Sequence, residues 1–163
     1  MTKKRITLER TFQAPIEDVW ELWTTKEGVE SWWGPDGFST KVFKLELWPG
    51  GELHYAMTAT APEQIAFLER AGMPLTNHTR GHYDEVVQNS RLAFTQIADF
   101  VPGVAAYDVE SLVELFPTAG GVRMVLTFDA MHDAQWTKLA EMGWQSELEK
   151  LGRALASRRP PAK

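Results

Sequence analysis

The stretch TRGHYDEVV places a phenol and a carboxylate two residues apart, at Tyr83 and Glu85. On a regular strand both project from the same face as Gly81, because side chains repeat every second residue. If that face looks into an apolar interior, the carboxylate loses hydration and is driven toward the range where a general acid or base works near neutral pH. Glu85 is therefore the candidate catalytic residue, with Tyr83 beside it to orient a substrate oxygen. Two other arrangements compete: pairing of Glu85 with a basic residue or a backbone N–H, or a bulge at the doublet Val86–Val87 that turns it to solvent.

Other chemistries find less support. The four histidines stand at 54, 78, 82 and 132. His78 and His82 would share a helix face, but their neighbours read as strand, where a rise of about 3.3 Å per residue sets them ~13 Å apart. Zinc needs three or four convergent ligands, so no metal site is expected, and no cofactor. No Ser-His-Asp order stands out, and no glycine-rich loop leads from a strand into a helix as phosphate binding requires. The absence of cysteine removes disulfides, thiolate catalysis and iron-sulfur clusters. It also suits a reducing cytoplasm, where this chain is expected to reside.

Seven tryptophans in 163 residues are the strongest compositional signal. Each is either core filling or the wall of a binding space, and Trp33, Trp136 and Trp144 are the candidates for the second role. A net charge of −5 argues against a nucleic-acid partner, which would need a basic stripe. No apolar run approaches the ~18 residues of a membrane helix, and MTKKRITLER has no signal-peptide core, so membrane insertion is not expected. The length fits one domain over 1–163.

Elements to position these residues follow from periodicity. RITLERTF alternates as a half-buried strand. In APIEDVWELWTT, Pro15 precedes Ile16, Val19, Trp20 and Trp23 at helical spacing, giving a short amphipathic helix, with Gly28 capping it or separating it from a second. From Phe38 to about Met131 six strands alternate with turn signals such as WPGG, QNS and PTAGG, which favours antiparallel neighbours. The last segment carries Trp136, Leu139, Ala140, Trp144, Leu148, Leu151 and Leu155 on one stripe: a single long helix, closed by Pro160. A strand, two short helices, six strands and a long helix make an α+β arrangement, an antiparallel sheet with helices on one face.

The stretches TFQAPIEDVWELWT, WWGPDGF, WPGG, GHYDEVVQNSRLAFT and MGWQSELEKL, in this order, resemble the Activator of Hsp90 ATPase homologue 1-like family of the START/Bet v 1-like superfamily, which includes the polyketide cyclase and SRPBCC proteins. The resemblance implies a helix-grip fold, a curved antiparallel sheet wrapped around a long C-terminal helix. It also implies a deep apolar cavity, used by different members for lipids, polyketides, hormones or aromatic compounds and by some for catalysis. Trp32 or Trp33 would then wall the cavity mouth. One region departs from the family pattern: ATAPEQIAFLERAGMPLTN stands where a short hairpin loop is usual, and Pro62, Ile65, Leu68, Gly72 and Pro74 make it a short helix near 62–71, either a lid or a surface excursion.

The expected cavity lies between the sheet and the C-terminal helix, walled by Tyr55, Met57, Tyr83, Phe94, Met124, Leu126, Trp136 and Leu139, with Trp33 and Trp144 at its edge. Its expected occupant is an apolar or aromatic small molecule. Three readings follow: a small-molecule binding protein, a cofactor-independent cyclase, lyase or hydrolase working by acid-base catalysis, or an Hsp90-type co-chaperone interaction module. The third is disfavoured because that role belongs to a larger multidomain protein. Whether a reaction is catalysed, and whether the chain forms a homodimer, stays open.

Overall fold

The computed structural model describes residues 4–34, 36–99, 101 and 103–158. Pro35, Pro102 and Pro160, each part of a turn or stop signal in the sequence, lie outside them. In chain order the elements are β1 (Arg5–Phe12), α1 (Ile16–Thr24), α2 (Lys26–Trp32), β2 (Phe38–Leu45), β3 (Glu52–Ala59), α3 (Pro62–Arg70), β4 (Thr76–Val87), β5 (Arg91–Ala98), β6 (Tyr107–Thr118), β7 (Gly121–Asp129) and α4 (Ala134–Arg158). The seven strands form one antiparallel sheet in the order β1-β7-β6-β5-β4-β3-β2. Consecutive strands from β2 to β7 pair with one another, β3 and β4 across a segment that carries α3, while α1 and α2 take the chain from one sheet edge, β1, to the other, β2. The curved sheet and the long terminal helix are the helix-grip fold the sequence implied.

The two N-terminal helices divide at Thr25, whose hydroxyl caps α2 by accepting from Gly28 N–H at 3.0 Å. Gly28 itself is neither a cap nor a separator. It lies inside α2 where the helix presses on α1, and a Cβ there would stand 2.5 Å from Glu21 O. The close approach brings Trp23 of α1 against Trp32 and Trp33, with ring centroids 4.6 and 5.4 Å away, and Trp144 of α4 stacks on it at 5.9 Å. Both inner indole N–H groups are satisfied, Trp23 by Met124 Sδ at 3.3 Å and Trp32 by Leu22 O at 2.8 Å. Behind Trp33, Gly34 and Gly37 take φ of 96° and 92°, the left-handed region that glycine enters without steric cost. That corner lets the chain leave α2 and enter β2 without opening the tryptophan cluster.

The segment 60–75 departs from the end of the β3–β4 hairpin, whose strands pair up to Thr58 and Thr76. Its helix, α3, buries only Leu68 and rests on the corner, where Thr60 and Ala61 N–H groups reach Gly37 O at 2.7 and 3.1 Å. No helix among the described residues is long and apolar enough to cross a membrane.

Candidate functional site

The concave face of the sheet has a sealed half and an open half. In the sealed half Leu53, Tyr83, Leu92, Phe94, Val113, Met124, Leu126 and Phe128 are buried under Trp23, Trp33 and Trp144. Five of the expected cavity walls, Tyr83, Phe94, Met124, Leu126 and Tyr55, are thus close-packed core, as are Trp33 and Trp144. An enclosed cavity of ligand size does not exist among them: the void between Trp23, Val29, Trp33, Leu53, Tyr83, Leu92 and Phe94 is about 10 Å³. The paired indoles of the SWWG corner fill the volume that the resemblance assigned to a ligand.

Glu85 is not on the concave face. The β4–β5 register shifts between Tyr83 and Glu85, so Tyr83 stands opposite Phe94 while Glu85 stands opposite Ala93. The bulge falls at Asp84, two residues before the expected doublet, and flips Glu85 to the convex face, half exposed. There Arg91 Nε donates to its carboxylate at 2.8 Å and joins it to Glu114, 2.9 Å away. The carboxylate has no route to the interior. His54 and His78 also meet on the convex face, with Nε2 and Nδ1 3.0 Å apart, and no group of three metal ligands forms among the described residues.

The open half lies toward the other end of the central strands. Met57, Asn77, Thr79, Gln96 and Val109 share the face of Tyr55 by register, yet all are only half-buried. In the first turns of α4, Trp136 is half-buried, and Leu139, expected as a wall, is 42% exposed. Among the described residues nothing lies within 4 Å of the position a Cβ would take at Gly143.

Where the open half meets the sealed one, a polar cluster is buried. Glu147, one turn after Gly143 on the same flank of α4, is 6% exposed and accepts from Gly34 N–H at 2.7 Å. Burial pushes its carboxyl up to about 8, against the lowering effects of that bond and of Lys150. Lys150 donates to Gly34 O at 2.9 Å, and desolvation depresses its own ammonium. The Tyr55 hydroxyl accepts from the Gln96 amide, with Trp33 and Thr79 also against it, and burial raises its pKa far above the ordinary phenol value, with the nearby Glu147 adding to the rise. Near neutral pH the cluster therefore holds a carboxylic acid and a phenol, both proton donors. Ser111, 4% exposed on the same concave face between Phe94 and Phe128, has no partner for its hydroxyl among the described residues.

Sequence reasoning missed Glu147, Lys150, Gln96 and Ser111. For Glu147 a signal exists: it falls three residues after Trp144 and four before Leu151, an acidic residue on the apolar stripe.

The sequence profile of the Activator of Hsp90 ATPase homolog 1-like proteins matches residues 13–156, from the end of β1 through nearly all of α4. The chain belongs to that family. Solved structures agree in fold. A Chromobacterium violaceum protein superposes with a TM-score of 0.78 at 24% identity, over 93% of this chain and 96% of its own. A Nitrosomonas europaea protein does so with 0.71 at 25%, over 95% and 96%. An AHSA1 protein of Silicibacter pomeroyi gives 0.76 at 20%, over 96% and 100%. No curated protein matches the chain. The helix-grip architecture of this Activator of Hsp90 ATPase homolog 1-like chain is consistent with the START/Bet v 1-like superfamily.

Proposed function

We propose that this chain binds an apolar or aromatic small molecule on the open half of its concave face, beneath the first turns of α4. One observation supports the reading above the others. Half-buried Met57 and Val109 share the concave face of Tyr55, while on α4 Trp136 and Leu139 stand two turns and one turn before the open position at Gly143, itself one turn from the buried carboxyl of Glu147. Apolar walls with a few convergent polar groups are the usual make-up of a small-molecule site. The cysteine-free composition suits the cytoplasm as the place where it acts.

Titration with a neutral aromatic probe, 2-ethylnaphthalene, tests this. Binding is expected to quench tryptophan emission through the cluster beside the cleft, and Gly143→Phe, which fills the gap without touching the core, should abolish the quenching while the circular dichroism spectrum stays native. Binding untouched by Gly143→Phe, or none in the parent chain, overturns the reading.

The interaction-module reading also has one observation in its favour. On the outside, between α1, α2 and β2, an open groove of about 510 Å³ runs along Val42, Phe43, Leu45, Leu47 and Trp48, with Thr24, Lys26 and Lys44 as its polar lining. Phe43 and Trp48 are 50% and 57% exposed. Capture of purified Hsp90 by the chain, lost in Phe43→Ser and Trp48→Ser, would favour that reading over ligand binding.

A further inference from the structure

Building on the ligand-binding reading, we infer that the inner end of the cleft is a subsite for an uncharged oxygen acceptor, such as a ketone or ester carbonyl, formed by the Glu147 carboxyl beside Tyr55 and Gln96. The ligand class follows from which groups remain to be used. Glu147 Oε1 is taken by Gly34 N–H. Among the described residues no donor reaches Oε2, and the carboxyl's influences are burial, that one bond and the charge of Lys150. In a helix every Cα–Cβ bond tilts toward the N-terminus, so the Glu147 carboxyl lies back over the turn of Gly143, where a side chain would otherwise stand. Oε2 therefore belongs to the cleft.

Tyr55 lies beside this group: its oxygen accepts from the Gln96 amide, Trp33 and Thr79 also stand against its hydroxyl, and Glu147 is near enough to influence it electrostatically. The remaining charged groups near Glu147 are Lys150 on its own helix, tied to Gly34 O, and Asp36 and Arg153, which influence Lys150 and pair with each other at 3.1 Å. Among the described residues no cation is aimed past Glu147 into the cleft to hold a carboxylate. A protonated carboxyl offers one donor, and with no cation beside it the oxygen it suits is a neutral acceptor, since a charged one would be desolvated without a partner. A ligand carboxylate would give up its hydration with no cation to pair it, and above about pH 8 would also face an ionised Glu147.

Three probes with one naphthalene body separate the outcomes: 2-acetylnaphthalene, 2-ethylnaphthalene and 2-naphthoate, titrated into the full chain near pH 6 and near pH 9.5. At the lower pH the acetyl compound should bind about tenfold more tightly than the ethyl compound, the increment of a buried hydrogen bond. 2-Naphthoate should bind no better than the ethyl compound. At the higher pH the acetyl preference should shrink as Glu147 ionises, because the donor becomes an acceptor. In Glu147→Gln, whose amide donates at every pH, the preference should persist at both. Equal binding of acetyl and ethyl probes near pH 6, a preference for naphthoate, or an acetyl preference that ignores pH in the parent chain overturns the subsite and leaves the binding-site reading standing. Failure of all three probes overturns both.

Discussion

Glu147 shows how a single residue makes the folded chain depend on pH. Its folded pKa, about 8, lies above the ordinary carboxylate value, so the folded state holds a proton that the unfolded chain has already released. Stability from this group is greatest below the unfolded value and falls as pH rises from there through about 8, since the folded state then either keeps a proton the solution would take or buries a charge. Glu147→Gln retains the acceptor for Gly34 N–H and does not titrate. Its melting temperature relative to the parent should therefore be higher at pH 9 than at pH 5, by the equivalent of a few kcal/mol at most, each tenfold difference in proton affinity between the folded and unfolded chain being worth about 1.4 kcal/mol. A constant difference across that range would mean that Glu147 ionises normally. Ser111 gives a second test at the same scale. Its buried hydroxyl has no partner among the described residues, and an unpaired polar group costs about 1–3 kcal/mol, so Ser111→Ala should raise the urea midpoint rather than lower it.

At the scale of elements, the two helices that frame the site respond differently to the same change. Gly143 is half-buried on α4, and a Cβ there would meet nothing within 4 Å among the described residues, so Gly143→Ala should stabilise the chain by about 1 kcal/mol through helix propensity alone. Gly28 stands where α2 touches α1, and a methyl there would meet backbone at 2.5 and 2.8 Å. Gly28→Ala should cost about 1–3 kcal/mol as the helices part, and thermal melts of the two variants should move in opposite directions. The inserted helix α3 buries one residue and leaves Phe67 51% exposed, so replacing 60–75 by an Asn-Gly turn should preserve cooperative unfolding. If the shortened chain fails to fold, α3 is part of the core.

For the molecule as a whole, the tryptophan cluster ties α1, α2, α4 and the sheet into one packed body. The change in tryptophan emission and the loss of far-ultraviolet circular dichroism should therefore coincide in denaturant, as for a two-state domain. Two separated transitions would mean that the N-terminal helices detach first.

The sequence by itself determined the architecture. Alternation marks the strands, three-and-four spacing marks α1 and α4, and Pro62 with Gly72 marks α3, because these periods depend on near neighbours alone. It also determined that strand faces carrying Tyr55, Tyr83, Phe94, Met124 and Leu126 are turned inward. Tertiary structure decided what occupies that interior. Whether indoles pack into one another or around a ligand depends on distances between α1, α2 and α4, which no local pattern contains; here Trp23, Trp32, Trp33 and Trp144 close on themselves. It decided the fate of Glu85 as well, because a bulge is a mismatch between two strands, and one inserted residue reverses the face of everything beyond it. The same dependence hid the polar cluster. Glu147, Tyr55, Gln96 and Gly34 are far apart in the chain, and only the packing of α4 against the glycine corner, with Trp33 beside Tyr55, brings a carboxyl, a phenol, an amide and a backbone N–H together.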